Sequence, residues 1–377
     1  MDFSLNEDHL ALADAVRRFC DGEYPAQHRG NTESEQEAFR RVAGMADMGL
    51  LGLPFEAAYG GSELGPVEIM LVAREFGRCL GGGHFLSGTV MAGQLLARLG
   101  SNAHKENWLP ALTQGSLQMA LAAYEEGARY EWQRVRTRAT PVAGGYALSG
   151  RKSLVLHGDT AGLFLVVART AGELGDRHGL TVFAVDAGTP DLHVHGFDTL
   201  DGRRAANLVL DGVVVDAGRV LGPLDQAADA VESALDAGAA ALCAEVVGAL
   251  EALMEHTVDH LRTRKQFGVP LAKFQVLQHR VADMAIAIEL LKSMDCAAAM
   301  ALAGEDAGVR RRVVSAAKVL ASQQGRHQGM AAIQMHGAMG MTDECRVGHY
   351  AKRLMVIGQL LGDATYHLRR FDAQQQN

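Results

Sequence analysis

The chain has 377 residues, of which 48% are apolar and 21% charged, and its formal net charge is −8. A chain of this length and apolar content exceeds what one hydrophobic core usually supports, so we expect two or three packed domains and exclude disorder over most of the chain. The acidic balance argues against the basic surface that nucleic-acid binding needs, and we expect no nucleic-acid partner.

The five cysteines are widely scattered and include no C-x-x-C pair. This spacing is not that of a zinc site or a redox dithiol, so we expect buried, reduced thiols and no metal. The first residues lack the basic and then apolar pattern of a signal peptide. No later stretch approaches the ~20 uninterrupted apolar residues of a membrane span. We therefore expect a cytoplasmic location and no membrane span.

Residues 1–117 are predicted to form an N-terminal helical domain. Leu12, Val16 and Phe19 recur at helical spacing, and later apolar residues continue this pattern between loops. The glycine run at 81–83 has the composition of a phosphate-binding loop. It follows no predicted strand and precedes no Lys-Ser/Thr pair, so we interpret it as a flexible turn.

Residues 118–226 are predicted to form a middle β domain. Short apolar strands such as Leu163–Ala168 and Leu180–Val185 follow one another at roughly ten-residue spacing without intervening helices. This pattern favours an antiparallel sandwich or barrel over a doubly wound dinucleotide fold, and no G-x-G-x-x-G motif ends a strand.

Residues 227–377 are predicted to form a C-terminal four-helix bundle. Leu242, Val246 and Leu250 lie on a continuous apolar face, and the helical pattern is broken near residues 267–270, 304–306 and 337–340. The predicted fold class is therefore α+β, with a β domain between two helical domains.

The segment from Arg264 to Pro270 is the first candidate for binding chemistry. An arginine at the end of a long helix, followed by Phe267 and Gly268, can present a fixed cation and an aromatic wall to a phosphate-bearing ligand. The alternative is that Arg264 only complements the helix dipole or is solvated.

The second candidate runs from Gln334 to Glu344. Its small residues Gly337, Ala338 and Gly340 leave room for a ligand to approach the backbone, where peptide N–H groups can meet a pyrophosphate. The alternative is a helix end with a glycine cap.

Taken together, these segments resemble the Arg-x-x-Phe-Gly and Gln-x-x-Gly-Gly/Ala-x-Gly motifs of the acyl-CoA dehydrogenase family. The likeness extends to the opening Phe3-Ser-Leu-Asn-Glu-Asp, to Gly49-Leu-Leu-Gly-Leu-Pro and to Leu148-Ser-Gly-Arg-Lys-Ser. The resemblance implies an FAD shared between neighbouring subunits, and hence a dimer or tetramer. It assigns contacts with FAD to Arg264, Phe267, Gln275, Gln334, Gly337, Ala338 and Gly340.

The flavin side departs from the family pattern. Residues 124–131 read Tyr-Glu-Glu-Gly-Ala-Arg-Tyr-Glu where the family has Thr-Glu-Pro-Gly-Ala-Gly-Ser-Asp, which places Tyr124 and Tyr130 beside the flavin. Leu154 and Leu156 replace the Trp and Thr of Trp-Ile-Thr-Asn-Gly, and we expect them to contact the flavin through their backbone. His157 is either a ligand-facing acid or base or a structural residue.

The resemblance also implies a reaction, the oxidation of an acyl-CoA thioester to the 2,3-enoyl-CoA. In the family a glutamate removes the α-proton while the β-hydride passes to the flavin. Here Leu361 and Gly238 occupy the two usual positions of that glutamate. By motif position Asp363, Asp236 and Glu126 are the nearest carboxylates, and Asp363 is the first candidate base; alternatively it caps a helix or contacts FAD.

The ending from Gly362 to Arg370 resembles the small subunits of pimeloyl-CoA-type dehydrogenases, which implies a homologous partner subunit that supplies the base. We therefore predict a subunit of a heteromeric acyl-CoA dehydrogenase, with electron-transfer flavoprotein as the electron acceptor. The alternatives are a non-catalytic FAD-binding or structural subunit, and another flavin reaction such as that of an oxidase or monooxygenase.

Overall fold

The computed structural model describes residues 5–24 and 34–373. Phe3 and Ser4 of the opening motif lie outside these ranges. The first helix starts where the Asn6 side chain accepts a hydrogen bond from the His9 backbone N–H at 2.8 Å. The N-terminal helices are α1 (Glu7–Glu23), α2 (Glu35–Asp47), α3 (Pro66–Cys79), a π-helix (Phe85–Gly93), α4 (Gln94–Leu99) and α5 (Asn102–Thr113).

An eight-stranded sheet follows, formed by β1 (Met119–Ala122), β2 (Arg138–Val142), β3 (Gly145–Leu156), β4 (Leu163–Arg169), β5 (Leu180–Asp186), β6 (Leu192–Asp198), β7 (Arg204–Asp216) and β8 (Val220–Leu221). The strand order is β6-β7-β3-β2-β4-β5-β8, with β1 paired to β4. The pairing is mostly antiparallel, as expected, but β1 and β2 both run parallel to β4. They share one side of β4, and the long connection at 123–137 carries the chain between them.

Strand β4 is buried on both faces, which explains why its sequence is apolar throughout. Leu163 and Leu165 belong to the large core shared with the helices, whereas Phe164 and Val166 belong to a separate core inside the β domain. Successive side chains of a strand point to opposite faces, so the sheet separates the two cores. One face of the β domain is thereby held against the helices.

The C-terminal helices are α6 (Ala228–Thr263), α7 (Gln275–Ala303), α8 (Ala307–His336), α9 (Arg346–Ile357) and α10 (Ala364–Ala373). Helices α6 to α9 form the four-helix bundle, and α10 packs on α8. The bundle confirms the predicted architecture of helices, sheet and helices.

Helix α6 joins the two helical regions because glycine lets its backbone touch that of α3. A Cβ atom added at Gly77 would lie 2.1 Å from the Glu245 carbonyl oxygen, and one added at Gly248 would lie 1.7 Å from the Arg74 carbonyl oxygen. By length and composition α6 could also cross a bilayer, but 89% of its most apolar window is buried inside the protein. Core packing accounts for its composition.

Gly81 and Gly82 lie in the connection after α3, whereas Gly83 already begins the next helical segment, and the run is tightly packed rather than the flexible turn that was predicted. A Cβ atom added at Gly83 would lie 2.1 Å from His157 Nε2, and one at Gly82 would lie 2.3 Å from the Phe76 ring. These positions need glycine because neighbouring side chains fill the space around them.

The cysteines are all free thiols, and Cys20, Cys79 and Cys243 are buried. Within residues 5–24 and 34–373, no three His, Cys, Asp or Glu side chains are grouped so as to hold a metal ion.

Candidate active site

The two segments with family motifs lie at the same end of the bundle. Helix α6 ends there, α7 begins there and α8 returns to end there, because successive helices of the bundle are antiparallel. The rings of His260 on α6 and His336 on α8 stack with centroids 4.3 Å apart and planes 25° apart. This contact fixes the end of one motif-bearing helix against the end of the other.

Arg264 terminates α6 in an extended conformation, and the next residues form a small hairpin. Lys265–Gln266 pairs with Val269–Pro270, and Phe267 and Gly268 form the turn with φ angles of 55° and 83°. The ring of Phe267 is 89% exposed and meets Phe274 edge-on at 6.0 Å. The hairpin therefore presents an exposed arginine and an exposed aromatic ring.

The second motif adds exposed small residues beside this hairpin. Gln334 lies in the last turn of α8, and Gly337 caps the helix with a φ of 66°. Nothing lies within 4 Å of a Cβ atom placed on Gly337, so its outer face is open. Ala338 is exposed as well, whereas Gly340 is buried, and a Cβ atom there would lie 3.0 Å from the Ile333 carbonyl oxygen.

This end of the bundle fits the adenosine pyrophosphate of FAD. Exposed Arg264 can offer a charged donor, Phe267 an aromatic face, and Gln275 and Gln334 exposed amides. The open space over Gly337 allows a pyrophosphate to come close to the backbone, as binding through peptide N–H groups requires. The structure thus brings together most of the residues that the resemblance assigned to this part of the cofactor, while Gly340 serves the packing of α8.

The loop after β1 is held by a buried ion pair that the sequence did not reveal. Glu125 accepts a hydrogen bond from Lys152 Nζ at 2.7 Å, and it also accepts from the backbone N–H and the hydroxyl of Thr137. Burial would raise the pKa of Glu125, but the charge and hydrogen bond of Lys152 outweigh burial and lower it. Glu125 is thus a carboxylate anchor, and the Ser153 N–H bond to the Tyr124 carbonyl oxygen at 2.9 Å extends this connection to β3.

Tyr124 and Tyr130 lie in this loop with different surroundings. Burial, followed by the nearby Tyr366, raises the pKa of the Tyr124 phenol, so it is neutral at pH 7. Tyr130 donates a hydrogen bond to Gln359 Oε1 at 3.2 Å, and its ring centroid lies 5.6 Å from that of Tyr366. The aromatic residues therefore connect the loop to the C-terminal helices.

The end of β3 has an irregular backbone at the positions expected to face the flavin. Leu154 has a φ of 53° and follows a break in the pairing with β7, and its N–H donates to Asn207 Oδ1 at 3.1 Å. His157 is buried against His84 with ring centroids 4.3 Å apart. Burial, and then the proximity of His84, hold its pKa well below 6.5, so His157 is a neutral imidazole at pH 7.

A small cavity of about 10 Å³ lies between this loop, β3, the π-helix and α6. Its walls are apolar except for Ser87 and the Tyr124 phenol. The lining residues are Ser87, Met91, Leu121, Ala123, Tyr124, Leu154, Leu156, Leu235 and Leu361. We call it the reaction cavity, because Leu361 occupies a position at which the family carries its base. No carboxylate is among these residues.

The two positions at which the family carries its base meet at this cavity. A Cβ atom placed on Gly238 would lie 2.8 Å from Leu361 Cδ1 and 2.9 Å from Met91 Cγ. Leu361 is buried and fills the space that Gly238 leaves open. Gly238 and Leu361 are far apart in the sequence and were identified through separate motifs, but they belong to one site.

The alternative carboxylates are held in other contacts. Asp236 is buried between Arg310 at 3.0 Å and Arg370 at 2.7 Å. Asp363 accepts a hydrogen bond from the Tyr366 N–H at 2.8 Å and so caps α10, which is one of the roles that the sequence left open for it. Glu126 is exposed on the loop. None of the three lines the reaction cavity.

Comparison with known proteins gives the family. Models of the N-terminal, middle and C-terminal domains of acyl-CoA dehydrogenase match residues 6–116, 120–213 and 228–372. The chain belongs to the acyl-CoA dehydrogenase family. The family and the oxidoreductase class predicted from the sequence are confirmed.

Individual relatives differ in chemistry and assembly. The chain is 30% identical over 350 residues to acryloyl-CoA reductase (NADH) of Anaerotignum propionicum, covering 90% of this chain and 87% of that one. The ChsE4–ChsE5 complex of Mycobacterium tuberculosis matches with a TM-score of 0.89 and 27% identity, over 100% of this chain and 99% of that one. PigA, solved with FAD and proline, matches with a TM-score of 0.92 and 23% identity, over 100% and 99%, and shows the same fold.

Proposed function

We propose that this chain is a subunit of a heteromeric, FAD-dependent acyl-CoA dehydrogenase that forms a 2,3-enoyl-CoA. In this proposal the chain contributes the adenosine side of a shared FAD site, and a homologous partner chain supplies the catalytic base. When bound, FAD accepts the hydride that leaves the β-carbon of the acyl group. Electron-transfer flavoprotein is the proposed electron acceptor, by resemblance alone.

One observation supports this division of roles above the others. The adenosine end of the bundle carries exposed Arg264 and Phe267, while the reaction cavity is closed by Leu361 against Gly238 and is lined by no carboxylate. A proton cannot be taken from the α-carbon without a base within hydrogen-bond reach. The chain thus keeps the adenosine end, which faces a neighbouring subunit, and lacks a catalytic base in its own reaction cavity.

Exposed apolar residues on the C-terminal helices support assembly with another chain. They lie on the hairpin, along α7 and α8 and around the turn that follows α8, and large apolar and aromatic side chains are enriched in protein interfaces. They are Phe267, Val276, Ile286, Leu290, Met330, Met339 and Met341. The ChsE4–ChsE5 relative is itself a complex of two kinds of chain.

Co-expression with homologous partner chains tests the proposal. We expect a mixed oligomer that contains FAD and whose flavin is bleached anaerobically by an acyl-CoA. Arg264→Ala in this chain should reduce the FAD content of the mixed oligomer at least about tenfold, because a charge-assisted contact with phosphate is lost. Arg262→Ala, an exposed arginine on the last turn of α6, is the matched control and should leave FAD content unchanged.

Two results would contradict the proposal. One is an FAD-loaded oligomer of this chain alone that is bleached by an acyl-CoA. The other is unchanged FAD content in the Arg264→Ala complex, which would favour the second candidate function, a structural subunit without a role in cofactor binding.

The lack of a carboxylate in the reaction cavity supports that second candidate. Oxygen consumption without an added electron acceptor would indicate an oxidase or monooxygenase.

A further inference from the structure

A second cavity of about 70 Å³ lies between α3, α6 and α7, at the start of α4. Its walls are mostly apolar, with three polar residues among them. The lining residues are Pro66, Ile69, Met70, Gln94, Ser233, Ala237, Ala240, Ala241, Asp295, Ala299 and Leu302. We call it the rear cavity.

The rear cavity is distinct from the reaction cavity because it lies on a different face of α6. Ala237 and Ala241 line the rear cavity, whereas Leu235 lines the reaction cavity and Gly238 contacts Leu361. Residues turn about 100° per position around a helix, so Ala237 points roughly 100° away from Gly238. The two cavities share no lining residue.

The segment that contains the π-helix contributes residues to both cavities. It is buried throughout and ends at Gly93, and its Met91 lines the reaction cavity. Gln94 begins α4 and lines the rear cavity. π-Helical turns inside helices recur at functional sites, and this π-helix extends over nine residues.

Gln94 presents an unmet hydrogen-bond donor at the rear cavity. Its Nε2 atom is buried and has no partner in the described parts of the chain. A buried amide donor without a partner destabilises the protein by about 1–3 kcal/mol, so Nε2 calls for a partner that the described side chains do not supply. As an N–H donor it needs a lone-pair acceptor, for which a carbonyl oxygen is suited.

Asp295, the charged residue at the rear cavity, limits which kind of ligand can bring an acceptor to Gln94. Asp295 is 2% exposed and its carboxylate lies 3.0 Å from Arg74. Burial raises the pKa of Asp295 to about 7 even though Arg74 opposes the rise. An anionic ligand would meet the Asp295 carboxylate, which lines the cavity, and a cation would have to compete with Arg74 for that carboxylate. A mostly apolar ligand with a neutral oxygen avoids both of these electrostatic costs.

We propose that the rear cavity binds a compact, mostly apolar molecule with one neutral carbonyl oxygen, which accepts a hydrogen bond from Gln94 Nε2. The alanines of α6 and α7 leave room for the apolar body, and Ile69, Met70 and Leu302 contact it. The site is independent of the proposed dehydrogenase function, since it needs neither FAD nor a base.

Ligand titrations monitored by NMR test the site on the full chain in the oligomer that it forms, with cyclohexanone as the probe and cyclohexane as the same ring without the oxygen. Gln94→Leu should weaken cyclohexanone binding about five- to tenfold, the effect of one neutral hydrogen bond, and leave cyclohexane binding unchanged. Gln323→Leu makes the same chemical change on the exposed face of α8 and should alter neither. Ala241→Leu should fill the cavity and block both probes.

The proposal is overturned by any of three results. These are no binding of cyclohexanone to the unmodified chain, equal binding to the Gln94→Leu and Gln323→Leu variants, or binding that persists in a folded Ala241→Leu variant. If the Ala241→Leu chain does not fold, the comparison of the two glutamine variants still decides, because each of those substitutions removes only one amide group.

Discussion

Leu361 packs directly onto Gly238, so that a Cβ atom on the glycine would lie 2.8 Å from Leu361 Cδ1. In the family these two positions are alternative sites for the same catalytic glutamate, and their contact here explains why either one can serve. In this chain a leucine side chain takes up the space instead. The contact therefore stabilises the fold where relatives carry out chemistry.

The packing of Leu361 on Gly238 can be measured as the coupling energy between substitutions at these two positions. Gly238→Ala should lower the free energy of unfolding by about 1–3 kcal/mol, because overpacking outweighs the ~1 kcal/mol that alanine gains over glycine in a helix. In a Leu361→Ala background the same change should be less destabilising, because only the overpacking against Met91 then remains. Urea unfolding of the unmodified chain, the two single variants and the double variant gives the coupling energy between the two positions. An identical effect of Gly238→Ala in both backgrounds would contradict the contact.

Asp363 is expected to act as a helix cap in the assembled enzyme. Asp363→Asn preserves a capping oxygen and should change stability by less than about 0.5 kcal/mol, whereas Asp363→Ala should lose about 1 kcal/mol. Anaerobic bleaching of the flavin in the mixed oligomer should be unaffected by Asp363→Asn. Abolished bleaching with FAD still bound would instead make Asp363 the base.

Acid stability should depend on Glu232. Burial would raise the pKa of this carboxyl, but hydrogen bonds from Arg311 and Arg177 and the charge of Arg370 outweigh burial and lower it to about 2. A depressed pKa contributes stability above the ordinary value of 4.5, and this is lost as the pH falls from 4.5 towards 2. The contribution is on the order of 3 kcal/mol.

Unfolding measured between these pH values tests this expectation. Glu232→Gln should flatten the acid dependence of the free energy of unfolding, and Glu126→Gln, an exposed carboxylate, should leave it as it is. A Glu232→Gln chain with the same acid dependence as the unmodified chain would show that the arginines do not hold the carboxylate in its charged form.

The buried pair Glu125–Lys152 should hold the loop that follows β1. Lys152→Met leaves the Glu125 carboxylate buried without its cation and should lower the free energy of unfolding by about 3–5 kcal/mol. Trypsin should then cleave faster at Arg129 in the loop. Arg151→Met, at the exposed neighbouring position, is the control, and equal cleavage rates in both variants would refute the anchoring role.

Several features could be predicted from the sequence because they depend on local repetition. The helical spacing of Leu242, Val246 and Leu250 indicates a buried helix face, and the apolar run of β4 indicates a buried strand. The Arg264 and Gln334 segments carry family motifs whose residue types match phosphate binding. Glu125 and Lys152 lie in two segments that resemble the family, but neither segment showed that the two side chains pair, because an ion pair between distant positions has no period along the chain.

The sequence by itself determined the family, the order of helical and β regions and the absence of a glutamate at residues 238 and 361. Only the tertiary structure decided that these two positions touch, that Asp236 is held by two arginines and that α6 separates two cavities. Such contacts join residues far apart in the chain, and they arise from how helices and sheet pack, which no local pattern of side chains specifies.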